Sequence, residues 1–345
     1  MMAINFSMTK KVAVVILGWN GKKFLEQFLP SVVQHTPQDW CEIVVADNAS
    51  TDGSIEFVQE NYPQITIIQN GRNGGYAGGY NDALAKIKTD YYVLLNQDIE
   101  VTEGWIARIV DVMDGDRKIA AAQPKLLDYF KRNKFEYAGA SGGFIDTFGY
   151  AFCRGRVFDT IEEDNGQYDD VVPVFWATGA CLVVRADAYW QAGGLDEDFF
   201  AHQEEIDLCW RMQNLGYKIV VVPGSVVYHV GGGSLPYGNT RKTYLNFRNN
   251  LMLLFKNLPF GELMWKLPIR LFLDIVAAHQ ALLIEKNMTT FKAIVRAHVD
   301  FVKQLPSLLV KRKLIPNKRK NLLLRMSVVK QYFLDARQTY SALHR

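Results

Sequence analysis

Two apolar runs in the first hundred residues, at 43–46 and 91–95, each end in a polar cluster that carries a carboxylate. The first runs into Asp47-Asn48 and the second into Asn96-Gln97-Asp98. A continuous apolar run reads as a parallel strand covered on both faces. Such strands deliver their C-terminal charges into the crevice where open α/β sheets bind ligands. Two of them feeding one crevice point to a polyanion, a nucleotide diphosphate with its metal.

The surrounding pattern agrees. Strands are expected at 12–17, 43–46, 65–68 and 91–95, and helices at 22–34, 54–61 and 77–88. Strands alternating with helices imply right-handed βαβ units and a doubly wound, mostly parallel sheet with helices on both faces. Residues 101–175 are less regular and read as loops and edge strands over the crevice, apart from a helix at 105–113. Strands at 181–184, 218–222 and 225–230 follow, with helices at 186–191 and 204–215 and Gly216 as a helix cap. Beyond Arg241, helical spacing appears at 245–258, 263–283, 291–305 and 322–343, with Pro268, Pro306 and Pro316 as breaks. The expected organisation is a sheet domain over 1–254 and a C-terminal helical extension over 255–345.

Composition adds bounds. A chain of 345 residues with 49% hydrophobic residues can bury a large core. Cys41, Cys153, Cys181 and Cys209 form no CxxC pair, which argues against a zinc knuckle or disulfide framework and fits a reducing compartment. Residues 1–10 lack a signal-peptide core, and no segment offers about 18 uninterrupted apolar residues for a span. The expected location is cytoplasmic. Residues 255–345 hold 17 Lys and Arg against 5 Asp and Glu, whereas the remainder holds 22 against 31. A tail this basic fits the inner face of an anionic membrane, a solvated surface or a homodimer contact. No recognition motif supports nucleic acid.

Several clusters can carry chemistry. The loop Gly71-Arg72-Asn73-Gly74-Gly75 through Asn81 links a strand to a helix, and its amides and Arg72 suit phosphate. Asp47-Asn48 through Asp52-Gly53-Ser54 suits a base and ribose, or an Asx turn with a helix cap. Asp98 is the metal candidate, because Mg2+ and Mn2+ prefer oxygen ligands shared with substrate phosphates. Glu204, Glu205 and Asp207 crowd one helical turn, which can raise a pKa into a general base's range. Trp176-Ala177-Thr178-Gly179 suits an acceptor wall or plain core, and His229 a core position unless a metal lies nearby.

In this order the segments at 14–21, 45–54, 73–81, 95–98, 176–180, 193–200, 204–209 and 227–229 resemble glycosyltransferase family 2, which has the GT-A fold, and within it the bacterial rhamnosyltransferase-like branch. The resemblance implies inverting, metal-dependent transfer from a nucleoside diphosphate sugar to a glycan or lipid-linked acceptor in cell-surface polysaccharide synthesis. It implies nucleotide contacts from Asn20, Asp47, Asp52 and Arg72, with Asn48, Asn73, Gly75, Asn81, Asn96 and Gln97 beside them. Asp98 and His229 would hold the metal, and Trp176, Thr178 and Gly179 would face the acceptor. Glu205 aligns with the catalytic base, Glu204 and Asp207 being the alternatives. Asn96 departs from the family, which has Asp there. An inactive sugar-nucleotide or glycan-binding module and a sugar-phosphate nucleotidyltransferase are the other readings.

Overall fold

The computed structural model describes residues 10–231, 240–315 and 318–343. Gly232, Gly233 and Ser234, which follow the His229 segment, and the expected break at Pro316 lie outside the described residues. The chain begins with β1 (Val12–Gly18), α1 (Lys22–His35), β2 (Cys41–Asp47), α2 (Ser54–Asn61), β3 (Thr66–Gln69), α3 (Gly75–Leu84) and β4 (Tyr91–Asn96). It continues through β5 (Ile99–Val101), α4 (Trp105–Gly115) and β6 (Ile119–Asp128). Four short strands follow, β7 (Gly143–Ile145), β8 (Ala151–Cys153), β9 (Arg156–Val157) and β10 (Thr160–Ile161). Then come β11 (Val172–Val174), β12 (Cys181–Arg185), α5 (Ala186–Gln191), α6 (Glu204–Asn214) and β13 (Lys218–His229). The chain ends in α7 (Thr240–Asn257), α8 (Phe260–Leu283), α9 (Met288–Leu314) and α10 (Tyr340–Leu343).

Among the described residues the main sheet has nine strands in the order β11-β13-β6-β12-β4-β1-β2-β3, with β5 on β13. The half β3-β2-β1-β4 is parallel, and β12 lies antiparallel between β4 and β6. Both faces are covered by core. Val12, Val14 and Ile16 point to one apolar cluster, Ala13 and Val15 to the other. The alternating side chains of a strand buried on both faces require this.

Three expectations change. Residues 119–128 form a long buried strand at the sheet centre rather than part of an irregular stretch. The run Ala120-Ala121-Ala122 and Pro124 mask it, since neither residue type favours strands. The two strands expected at 218–222 and 225–230 are one strand, β13, broken in register between Val222 and Val226. Pro268 and Pro306 lie inside α8 and α9 instead of ending them.

The tail differs most. Residues 322–343 do not form one helix. Leu324 donates its amide to Ile145 O (3.0 Å), and Val328 donates to the buried Asp146 carboxylate (2.9 Å). Val328 and Leu343 pack with Phe152 and Val157 on the small sheet β7–β10. A helix would spend those amides internally. The basic clusters are also partly committed. Lys311 pairs with Asp198 (2.6 Å), and Lys318 donates to Arg312 O and Ile315 O (2.7 and 2.9 Å) at the end of α9.

The expected boundary after residue 254 falls inside α7, which is part of the main core through Leu251, Met252, Leu253 and Leu254, as is Leu258 just beyond it. Beyond that boundary Lys256 (2.9 Å) and Asn257 (2.8 Å) reach the fully buried Asp207, which also receives Arg211 Nε (2.8 Å). Removing one partner of a buried ion network strands the others. We expect Asp207→Ala to cost about 3–5 kcal/mol in urea unfolding.

Candidate active site

Parallel strands bring their C-terminal ends to one edge of the sheet. Gly18 pairs with Asp47, and Leu17 with Asn96, so the loops after β1, β2 and β4 are neighbours. β13 arrives from the far side. Its last residue, His229, pairs with Ile99, which sets the imidazole beside Asp98. His229 Nε2 lies 3.2 Å from Asp98 Oδ1.

The third member of this group is Glu136. Glu136 Oε1 lies 3.3 Å from His229 Nδ1, off hydrogen-bond geometry but within ionic contact. All three side chains are buried. Burial opposes a charged imidazole, but Asp98 and then Glu136 push the His229 pKa up to about 10. Burial likewise opposes the Asp98 carboxylate, and His229 outweighs it, holding that carboxyl below its usual range. Glu136 sits in the irregular stretch, where no local pattern marks it.

Asp98 and His229 are oxygen and nitrogen donors of the kind a divalent ion takes, and together they would hold one only with the imidazole deprotonated. Glu136, on the opposite ring nitrogen, is placed to fix the imidazole's orientation. Among the described residues no three His, Cys, Asp or Glu side chains surround one point as a complete metal cage.

The turns after β1 and β2 clasp one another. Asn20 Oδ1 accepts from Thr51 N (2.8 Å), and Asp52 accepts from Lys22 N (2.9 Å) and Ser54 N (3.1 Å). Gly53, not Asp52, takes the cap position of α2, with φ +78°. Asp47 accepts from Ser50 N (3.0 Å) and keeps lone pairs for a further partner.

Other predicted side chains are spent on the scaffold. Asn48 is buried and donates to Gly75 O (2.8 Å). Asn73 accepts from Gly75 N (2.9 Å), closing the turn before α3. Asn81 binds Leu195 through both its oxygen and its nitrogen. Arg72 pairs with Asp82 (3.1 Å). Gly75, at φ +67°, packs on Phe200, whose carbonyl would stand 2.7 Å from an added Cβ. The loop's close approach is thus to protein backbone. Asn96 Nδ2 stands 3.5 Å from His229 Nε2, and Gln97 fills the notch that Gly21 leaves. Trp176 is buried, donates to Phe144 O (3.1 Å) and covers Gly143, so it is core. Thr178 is also buried and accepts from Ala180 N (3.2 Å).

Gly179 differs. Its carbonyl accepts from the Tyr76 hydroxyl (2.5 Å), and Glu205 Cβ stands 3.6 Å from where its own Cβ would lie. The next residue, Ala180, accepts from Asn96 N (2.9 Å). A continuous path therefore runs from Glu205 through Gly179 and Ala180 to Asn96 and Asp98. The charges of Glu136 and Glu205 both act on the Cys153 thiol. The acids at 204–205 and the Asp98–His229 pair share one end of the molecule.

The three acids of α6 have different fates. Asp207 is saturated by Arg211, Lys256 and Asn257, and although burial opposes its charge, those cations keep its pKa low. Glu204 and Glu205 each leave a buried Oε2 without a partner. Burial, and then the Glu205 charge, raise the Glu204 carboxyl well above its ordinary range. Burial raises the Glu205 carboxyl to about 7. Tyr76, which the sequence marks only as part of the 73–81 segment, borders both, and burial first, then Tyr80 and the two glutamates, keep its hydroxyl protonated.

Residues 13–173 match the model of glycosyl transferase family 2. The match covers 161 of the 345 residues, just under half of the chain. It is 27% identical over 237 residues to an N-acetylglucosaminyl-diphospho-decaprenol L-rhamnosyltransferase of Mycobacterium tuberculosis, covering 64% of this chain and 76% of that one. Rhamnosyltransferase WbbL of Escherichia coli is 22% identical over 227 residues, with 63% and 83% covered. Among solved structures, GalNAc-T7 with UDP, GalNAc and Mn2+ superposes with a TM-score of 0.58 at 16% identity, over 92% of this chain and 60% of that one. TarS 1–349 of S. aureus in complex with UDP-GlcNAc gives 0.57 at 15%, over 96% and 93%. The fold is GT-A and the protein is a glycosyltransferase.

The raised glutamates set a sign for stability. Between their ordinary pKa of 4.5 and about 7, the folded chain binds more protons than the unfolded one. Stability therefore falls as pH rises through that window. In thermal unfolding, Glu205→Gln should gain on the parent across it, by on the order of 2 kcal/mol at its upper end.

Proposed function

We propose that this chain is a family 2 glycosyltransferase that moves a sugar, with inversion, from a nucleoside diphosphate sugar to a hydroxyl of a lipid-linked glycan. The observation that carries the reading is the Glu205 carboxyl. It lacks a hydrogen bond on Oε2, has its pKa raised to about 7 and lies against Gly179, on the path to Asp98. A carboxylate so poised can take a proton from a hydroxyl at neutral pH. Asp207 is excluded from that role by its saturated oxygens, and Glu204 lies deeper.

Asp98 and His229 would hold a divalent Mg2+ or Mn2+ together with the donor's diphosphate. When bound, the ion supplies positive charge where negative charge develops on the leaving group. The clasped turns of Asn20, Asp47 and Asp52 form the nucleotide's side of the crevice, with Asn96 and Gln97 at its floor. Tyr76 fixes the Gly179 carbonyl, and with it the wall beside which the acceptor hydroxyl meets Glu205. The nucleotide-sugar complexes of the GT-A neighbours and the lipid diphosphate in the mycobacterial relative's name support this substrate class. We assign the transferase unit to the chain through α7, and α8–α9 to a peripheral location on the inner face of the membrane. Among the described residues no helix is long and apolar enough to cross one.

Asn96, in place of the family's Asp, favours a second reading, a binding module without turnover. Nucleotide-sugar hydrolysis that needs Mn2+ and disappears in Asp98→Ala would exclude it. For the transferase, kcat/KM should rise with pH up to about 7 and then level off. Glu205→Gln should erase that limb and lower turnover by about 10²–10⁴-fold, with donor binding by calorimetry retained. Full activity in this variant would overturn the assignment of the base.

A further inference from the structure

Helix α8 has its polarity reversed. A surface helix normally turns apolar residues to the core and charges to water. In α8 the charged residues face inward: Lys266, Arg270 and Asp274 are buried, and Glu262 is half-buried. They neutralise one another one turn apart, Lys266 with Glu262 and Arg270 with Asp274 (2.8 Å). Asp274 also meets His298 of α9 at 3.2 Å. The outward face carries Phe260, Met264, Phe272, Ile275, Val276 and Leu283, from 48% to 70% exposed. No Lys, Arg, Asp or Glu of α8 is exposed. An apolar face this long marks an interaction surface.

Helix α9 indicates what covers it. Contacts between Asp274 and His298 and between His279 and Phe291 make α8 and α9 an antiparallel hairpin. The exposed face of α9 alternates Val299, Val302 and Val310 with Lys292, Arg296, Lys303 and Lys313. Its single acid, Asp300, is half-buried and already taken by Arg296 and Lys303. Lys292 and Lys313 have no ion pair among the described residues. An apolar helix face without exposed charge beside a basic one complements an anionic bilayer, with apolar side chains at the acyl boundary and lysines on headgroups. A second copy on the same face would set these lysines against their own equivalents.

We propose that the α8–α9 hairpin lies flat on an anionic lipid surface and holds the catalytic cleft at a fixed orientation to it. The link to the site is short. Arg270 donates to Asn250, and Asn250 donates to Gln203 (3.1 Å), the residue before Glu204. This rests on the proposed lipid-linked acceptor and names the surface on which that acceptor is met.

The test uses the full chain and flotation with two kinds of vesicle, phosphatidylcholine alone and phosphatidylcholine with about a third phosphatidylglycerol. The parent should float with the anionic vesicles and not with the neutral ones. Phe272→Asp with Val276→Asp, both on exposed positions, should abolish flotation, and Lys292→Glu with Lys313→Glu should weaken it about tenfold or more. Both variants should keep the parent's circular dichroism and its hydrolysis of the nucleotide sugar in solution. A parent that floats with neither vesicle overturns the proposal, as does a Phe272→Asp/Val276→Asp variant that floats normally. A parent that sediments as a dimer while this variant is monomeric assigns the face to a second copy and also overturns it. Loss of hydrolysis in the parent would instead sink the transferase reading, whatever the vesicles show.

Discussion

Helix α7 holds the turn at residues 200–203 in a backbone conformation that the turn alone would not keep. Phe200, His202 and Gln203 have φ of +63°, +70° and +71°. Non-glycine residues in that region cost about 1–3 kcal/mol each. Arg248 donates to Asp198 O and Phe199 O, both at 3.0 Å, and Asn249 donates to the carbonyls of Phe199, Ala201 and His202. The turn is thereby fixed immediately before Glu204 and Glu205. It also anchors the glycine loop, since Tyr76 N donates to Phe200 O (2.9 Å). One strained segment therefore registers the helix that carries Glu204 and Glu205 against the loop that fronts the crevice.

Electrostatics within α6 depends on that registration. Three acids share one helical turn, where the helix dipole favours negative charge. Asp207 points into a cage of Arg211, Lys256 and Asn257 and becomes part of the scaffold. Glu205 points the other way, towards Gly179, where no cation compensates its burial. The same residue class at neighbouring positions gives a fixed charge in one case and a titratable group near neutrality in the other. At the sheet edge the pattern differs again, because His229 lies between Asp98 and Glu136 and balances the carboxylates around it.

Helix α7 connects these features to the rest of the tail. Its Lys256 and Asn257 stabilise Asp207, its Asn249 stabilises the turn, and its Asn250 joins the turn to Arg270 of α8. The C-terminal helices are therefore not an appendage to an independent sheet domain. They share its core and brace its cleft, and the reversed α8 places an apolar surface a few side chains from the acids.

The parallel half of the sheet was legible in the sequence because strands buried on both faces must be apolar throughout, as in Val12–Gly18 and Tyr91–Asn96. Asp98, His229 and Glu205 stand out in the sequence through their order along the chain and the family they resemble; their roles are part of the proposed function. The strand Ile119–Asp128 was not, since alanine and proline carry no strand signal of their own and only flanking strands impose the pairing. Glu136 was invisible because nothing local distinguishes it from an ordinary polar residue, and Tyr76, though inside the glycine loop, gave no sign of its reach to Gly179. The spending of Asn48, Asn81 and Asp207 on structure was equally hidden, because their partners lie up to 114 residues away, as Leu195 does from Asn81. Sequence by itself determined which segments must be buried and which charges stand at strand and helix ends, since periodicity and burial are local properties. Tertiary structure alone decided which of those charges are neutralised and which remain available, since that depends on side chains the fold brings from distant parts of the chain.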